Sequence, residues 1–132
     1  MPVTYRIDAA RKLIHTTCSS PLSFEEVINH FRELARDPAC VGYLDVLLDV
    51  SGADALPEGG QILAINMELS AVRDKVQFGI CAIVATRDAM FGMMRMFEAL
   101  ARPYFLSTRV FRAGQDAEAW LVAQQTGNPS ES

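Results

Sequence analysis

Hydrophobic and polar residues alternate at the start of the chain. Val3, Tyr5 and Ile7 point one way, and Thr4, Arg6 and Asp8 the other. This period of two marks a half-buried strand. Residues 12–18 (KLIHTTC) make a second alternating segment, and Ala9, Ala10 and Arg11 leave a hairpin-length loop between the two. The pattern predicts an antiparallel pair.

The period then changes to that of a helix. Ser23 with Glu26 spells a capping box, and Leu22 and Val27 sit where a hydrophobic staple would close the helix start. Phe24, Val27, Ile28, Phe31, Leu34 and Ala35 fall on one face. Asp37-Pro38 predicts the helix end. Residues 44–50 (LDVLLDV) and 78–85 (FGICAIVA) are nearly continuous apolar runs, as expected of parallel strands covered on both faces. Asp45, near the start of the first run, is expected at the sheet edge. A helix begins near Gln61 with Ile62, Ile65, Leu69 and Val72 as its core stripe. Another spans 89–101, a short strand 107–113, and a last helix 117–125 is capped by Asp116 and anchored by Trp120 and Leu121.

The predicted order is ββαβαβαβα: one α/β domain with a single mixed, mostly parallel five-stranded sheet and four helices. Strand–helix alternation implies right-handed parallel crossovers. Residues 126–132 (TGNPSES) read as a disordered polar tail after a single domain at 1–125.

Composition narrows the function classes. Half of the 132 residues are hydrophobic and the formal net charge is −4, so a core is available and a general nucleic-acid binder is not expected. The basic residues are nearly all arginine, with lysine only at Lys12 and Lys75. Cys18, Cys40 and Cys81 form no CxxC pair and no metal-like cluster with His15 and His30. They read as reduced thiols of a cytoplasmic protein. The opening residues MPVTYRID lack the apolar stretch of a signal peptide, and no apolar run is long enough to insert in a membrane.

Residues 48–65 (LDVSGADALPEGGQILAI) resemble, without a gap, the signature region of STAS domains, the anti-sigma-factor antagonist family. Asp49, Ser51 and Gly52 are similar to that family's strand-end residues, and Gly60 to its helix-opening glycine. Residues 110–121 (VFRAGQDAEAWL) resemble a divergent bacterial subgroup, sporulation stage II AA-like. The resemblance implies the STAS-like fold and a regulatory, protein-binding role. It departs from the family at the switch: the phosphorylatable serine would fall at Gly59, and the Asp and Ser before it at Pro57 and Glu58. Glycine has no hydroxyl, so phosphorylation there is excluded.

Two candidate surfaces follow. Loops at the carboxyl edge of a parallel sheet hold ligands. That edge would gather Asp49, Ser51, Glu58, Gly59, Gly60, Gln61 and Arg87, with Ser19, Ser20, Thr86 and Asp88 nearby. Free N–H groups at Gly59, Gly60 and Gln61 could hold an anion with help from Arg87, unless these residues are simply caps and turns or contact a protein. The second surface is apolar. Met90, Met93, Met94, Phe97 and Leu100 make the core face of their helix, leaving Phe91 and Met96 on its flanks. Leu63 and Met67 are a similar spare pair on the preceding helix. Methionine-rich faces adapt to varied partners.

His15, on an outer strand, and His30 have no neighbour that suggests a nucleophile, and Cys81 lies inside an apolar strand. No catalytic set, cofactor motif or metal motif is present. The expectation is a non-catalytic protein-interaction module acting on a protein partner or a second copy of itself. The alternative is a carrier or sensor of a small anionic or lipid-like ligand.

Overall fold

Each stretch with a strong periodic pattern becomes an element of the corresponding kind. The computed structural model describes residues 3–19, 23–53, 59–72 and 76–131, with the side chains of 24, 59–63, 66, 71 and 126–131 outside the description. The order is β1 (Val3–Asp8), β2 (Leu13–Ser19), α1 (Phe24–Arg36), β3 (Gly42–Gly52), α2 (Gly59–Val72), β4 (Val76–Val84), α3 (Asp88–Leu100), β5 (Ser107–Phe111) and α4 (Gly114–Glu131).

Local chemistry explains the starts and stops. In the hairpin, Asp8 Oδ1 accepts from the N–H groups of Ala10 (3.1 Å) and Arg11 (3.2 Å), and Lys12 closes the turn in the left-handed region at φ 52°. The capping box is formed: Glu26 N–H donates to Ser23 Oγ, and Ser23 N–H to Glu26 Oε1. Leu22, the other half of the expected staple, lies outside the described residues. Asp37 ends α1, its N–H reaching Leu34 O at 3.2 Å.

The sheet runs β1-β2-β3-β4-β5, the first pair antiparallel and the rest parallel. Every crossover moves one strand in the same direction. Right-handed connections therefore place α1, α2 and α3 on one face, and α4 returns alone to the other, against β3, β4 and β5. Two apolar clusters result. The larger holds Ile14, Leu34, Leu44, Leu69, Phe78, Ile83 and Phe97 under the three helices. The smaller holds Leu13, Leu47, Ile80, Ala82, Val84, Ala117 and Leu121 under α4.

Several expectations need correcting. α2 begins at Gly59 rather than near Gln61. α4 begins at Gly114, so Asp116 lies in its first turn, where a carboxylate favours the helix dipole, and is not its cap. α4 also extends past residue 125 to Glu131. His15 lies on β2, which is an inner strand because β1 occupies the edge.

The largest correction concerns Asp45. It is not at the sheet edge but 4% exposed on the central strand. The register explains this: Leu44 pairs with Phe78 and Val46 with Cys81, so Asp45 alone faces both Gly79 and Ile80. Such a bulge leaves a ladder N–H without its usual carbonyl. Ile80 N–H donates instead to Asp45 Oδ1 at 2.9 Å. The bulge also switches the faces of β4, so that Phe78, Cys81 and Ile83 all face the three helices while Ile80 and Ala82 face α4.

Candidate functional site

The sheet faces differ most in how they treat polar groups. On the α4 face Asp45 is saturated. Besides Ile80 N–H, it accepts from Gln125 Nε2 at 2.9 Å through Oδ2, and Gln125 Nε2 also reaches Arg11 O at 3.4 Å. Tyr43 adds its hydroxyl; burial and the adjacent carboxylate push the Tyr43 pKa up to about 12. Gly79 is required at this spot, because a Cβ there would overlap Asp45 Oδ1 and the Tyr43 hydroxyl. This cluster pins the far half of α4 to the sheet. Periodicity reading missed it, yet a lone glycine inside an apolar strand is a bulge signal.

On the other face, the described residues cover the sheet less completely. Val46 and Leu48 lie mid-strand on β3 and point toward them, yet both are only half-buried. The expectation that 44–50 is covered on both faces fails at these two residues. Above them lies a cavity of about 100 Å³. Its walls come from all three helices, including Phe31 of α1, Leu69 of α2 and Met94 of α3. Thr16, Cys18, His30 and Cys81 are among the described residues of the wall, whose surface is almost wholly apolar.

Those groups are neutral. Burial lowers the His30 pKa to about 4. Burial, reinforced by the Asp49 carboxylate, raises that of Cys18 to about 12, and burial raises that of Cys81. Thr16 Oγ1 and His30 Nε2 are 3.3 Å apart. The His30 ring packs against Tyr5 and Phe31, each with its centroid 5.3 Å away. Neutral thiols are poor nucleophiles, so neither Cys18 nor Cys81 is primed for covalent chemistry.

The carboxyl-edge candidates do not converge. Asp49 Oδ1 accepts from Ser51 N–H (2.9 Å) and Ser51 Oγ (2.5 Å), a closed local turn. Its strand position is on the α4 face, opposite the layer that contains α2. Gly59, Gly60 and Gln61 do form the first turn of α2, whereas Glu58 lies outside the described residues. Arg87 is exposed at the start of α3 and makes no side-chain cap bond. No ion pair or hydrogen bond joins it to Asp49 or Ser51 among the described residues. No group of His, Cys, Asp or Glu among the described residues could hold a metal ion, and no described helix is long and apolar enough to cross a membrane.

The apolar candidates divide. Met67 is 69% and Met96 43% exposed. Phe91 is not spare surface: the Arg112 guanidinium lies 4.2 Å from its ring centroid while also pairing with Asp88. The Leu63 side chain lies outside the description. Met90, Met94 and Phe97 are buried as expected, but Met93 is half-buried and Leu100 is 38% exposed, since α3 turns its last residues out of the core.

No family model, curated protein or solved structure matches the chain.

Proposed function

We propose that this chain is a non-catalytic binding domain of STAS-like type that carries or senses a small apolar ligand between its sheet and its three-helix layer. The observation that carries this reading is the cavity above the half-buried Val46 and Leu48. Native interiors are close-packed, and a dry apolar cavity of about 150 Å³ is large enough to take benzene. The void of about 100 Å³ in this domain's main core is about two-thirds of that volume, the scale of a short chain or a small ring. The element order and the resemblance at 48–65 support the STAS-like frame, and Gly59 removes the hydroxyl that a phosphorylation switch needs. Burial holds the nearby His30, Cys18 and Cys81 uncharged, which favours binding over catalysis.

Thermal unfolding with millimolar benzene tests the reading. A ligand at tenfold its Kd adds about 1.4 kcal/mol, a rise of a few degrees in Tm for a domain of this size. Val46→Phe should fill the void and abolish that rise. An unchanged Tm with benzene, together with a Val46→Phe protein destabilised as an overpacked core, rejects the reading.

The exposed Met67, Met96 and Leu100 on neighbouring helices favour a second reading, a protein-interaction module that buries them against a partner or another copy. Sedimentation of wild type and Met96→Asp separates the two: self-association lost in the variant supports this reading, and a monomer in both speaks against a self-contact there.

A further inference from the structure

β5 is the last strand of the sheet, and no described strand lies beyond it. Its register on β4 fixes which of its backbone groups look outward. Phe111 pairs with Val84, and its carbonyl accepts from Ala85 N–H at 2.8 Å. Successive residues of a strand address opposite neighbours. Phe111 and Arg109 therefore face β4 with their backbone groups, while Thr108 and Val110 turn N–H and C=O to the open side. No described turn or loop takes up those groups. Such an edge is a template on which another extended chain can pair. The geometry points to β5 as a docking edge for an extended, acidic segment of another protein. This surface is separate from the cavity and its ligand.

Charge at the rim selects that partner. Arg109 is exposed, and its guanidinium lies 5.3 Å from the ring centroid of Phe111, which packs on the α4 side. Arg102 serves the other side. With Leu106, Ser107 and Thr108 it lines a surface recess of about 370 Å³, and Thr108 shares its side with Val110 of the three-helix cluster. Neither arginine pairs with a carboxylate among the described residues. Glu98, also in the recess, is taken by Arg95 at 3.6 Å, and Asp88 is taken by Arg112. An added strand therefore meets an unmatched cation on each face, and neighbouring residues of a strand point to opposite faces. Two consecutive acidic residues answer both. A second copy fits less well: antiparallel pairing of all five β5 residues sets Arg109 opposite Arg109, which repels. The other edge strand, β1, carries both Arg6 and Asp8 and offers no single sign.

NMR titration with two blocked heptapeptides tests this, one with a central Glu-Glu pair between valines and one with Lys-Lys in its place. Wild type should bind the glutamate peptide about fivefold more tightly or better, the scale of one partly exposed ion pair, and added salt should narrow the gap. Bound peptide should slow amide exchange at Thr108 and Val110. Thr108→Pro removes an outward N–H and leaves the bonds to β4 in place. It should weaken binding about tenfold, the scale of one net hydrogen bond. Arg109→Glu should abolish the preference for glutamate. No binding at millimolar peptide, no preference for glutamate in wild type, a preference unchanged in Arg109→Glu, or binding that leaves the Thr108 and Val110 amides unprotected overturns the proposal. So does sedimentation showing a dimer that Thr108→Pro dissociates, which assigns the edge to a second copy. If Thr108→Pro does not fold, the wild-type amides and Arg109→Glu decide.

Discussion

Asp45 and His30 are both buried and polar, and they sit on opposite faces of the same sheet with opposite outcomes. Asp45 is met by Ile80 N–H, Gln125 and Tyr43, and it repairs a bulge that would otherwise strand an amide. His30 has one nitrogen engaged and one orphaned, beside a cavity. The contrast separates a polar group that holds the fold together from one that the fold tolerates. A saturated network contributes stability and locks one geometry. An unsaturated atom costs stability.

That contrast is breakable by measurement. The largest effect is expected from Asp45→Ala, which strands Ile80 N–H and frees the far half of α4: urea denaturation should show a loss of about 3–4 kcal/mol. A loss below about 1 kcal/mol would mean that the bulge finds another acceptor.

Next comes acid. The folded pKa of His30 lies near 4 and its unfolded value near 6.5. The unfolded chain therefore takes up the proton first. Stability is complete above pH 6.5, declines as the pH falls toward 4 and loses nothing further from this residue below that. The decline should be about 3 kcal/mol, read from denaturation midpoints across that range. Replacing His30 with Phe should flatten this part of the profile; an unchanged slope would assign the loss to other groups.

The smallest effect is expected from removing the His30 pair altogether. Thr16→Val with His30→Phe replaces both polar partners by apolar groups of similar shape and should change stability by less than about 1 kcal/mol in either direction. A cost like that of Asp45→Ala would show that the two faces do not differ in the way described.

Much of the scaffold was readable from local pattern. The Ser23–Glu26 box marks the start of α1 because capping depends on residues three apart. The alternation of Val3, Tyr5 and Ile7 placed the strand that packs them under the helices. The candidate site was much less legible. Asp45 was misplaced because alternation assumes an unbroken ladder, and a bulge changes the count. Phe91 looked spare because the cation that covers it, Arg112, arrives from beyond β5. The carboxyl-edge set was assembled from loop positions alone, which say nothing of whether Asp49 turns inward or closes on Ser51.

By itself the sequence determined the α/β class, the order of strands and helices, and the residue types available to the core, because period and capping act over a few neighbours. It also determined that position 59 carries no hydroxyl. Tertiary structure alone decided which polar groups are saturated, that Val46 and Leu48 are left half-buried, and that a void remains above them. Those outcomes depend on distances between elements far apart along the chain, and helix–sheet spacing is set by the whole layer of side chains at once.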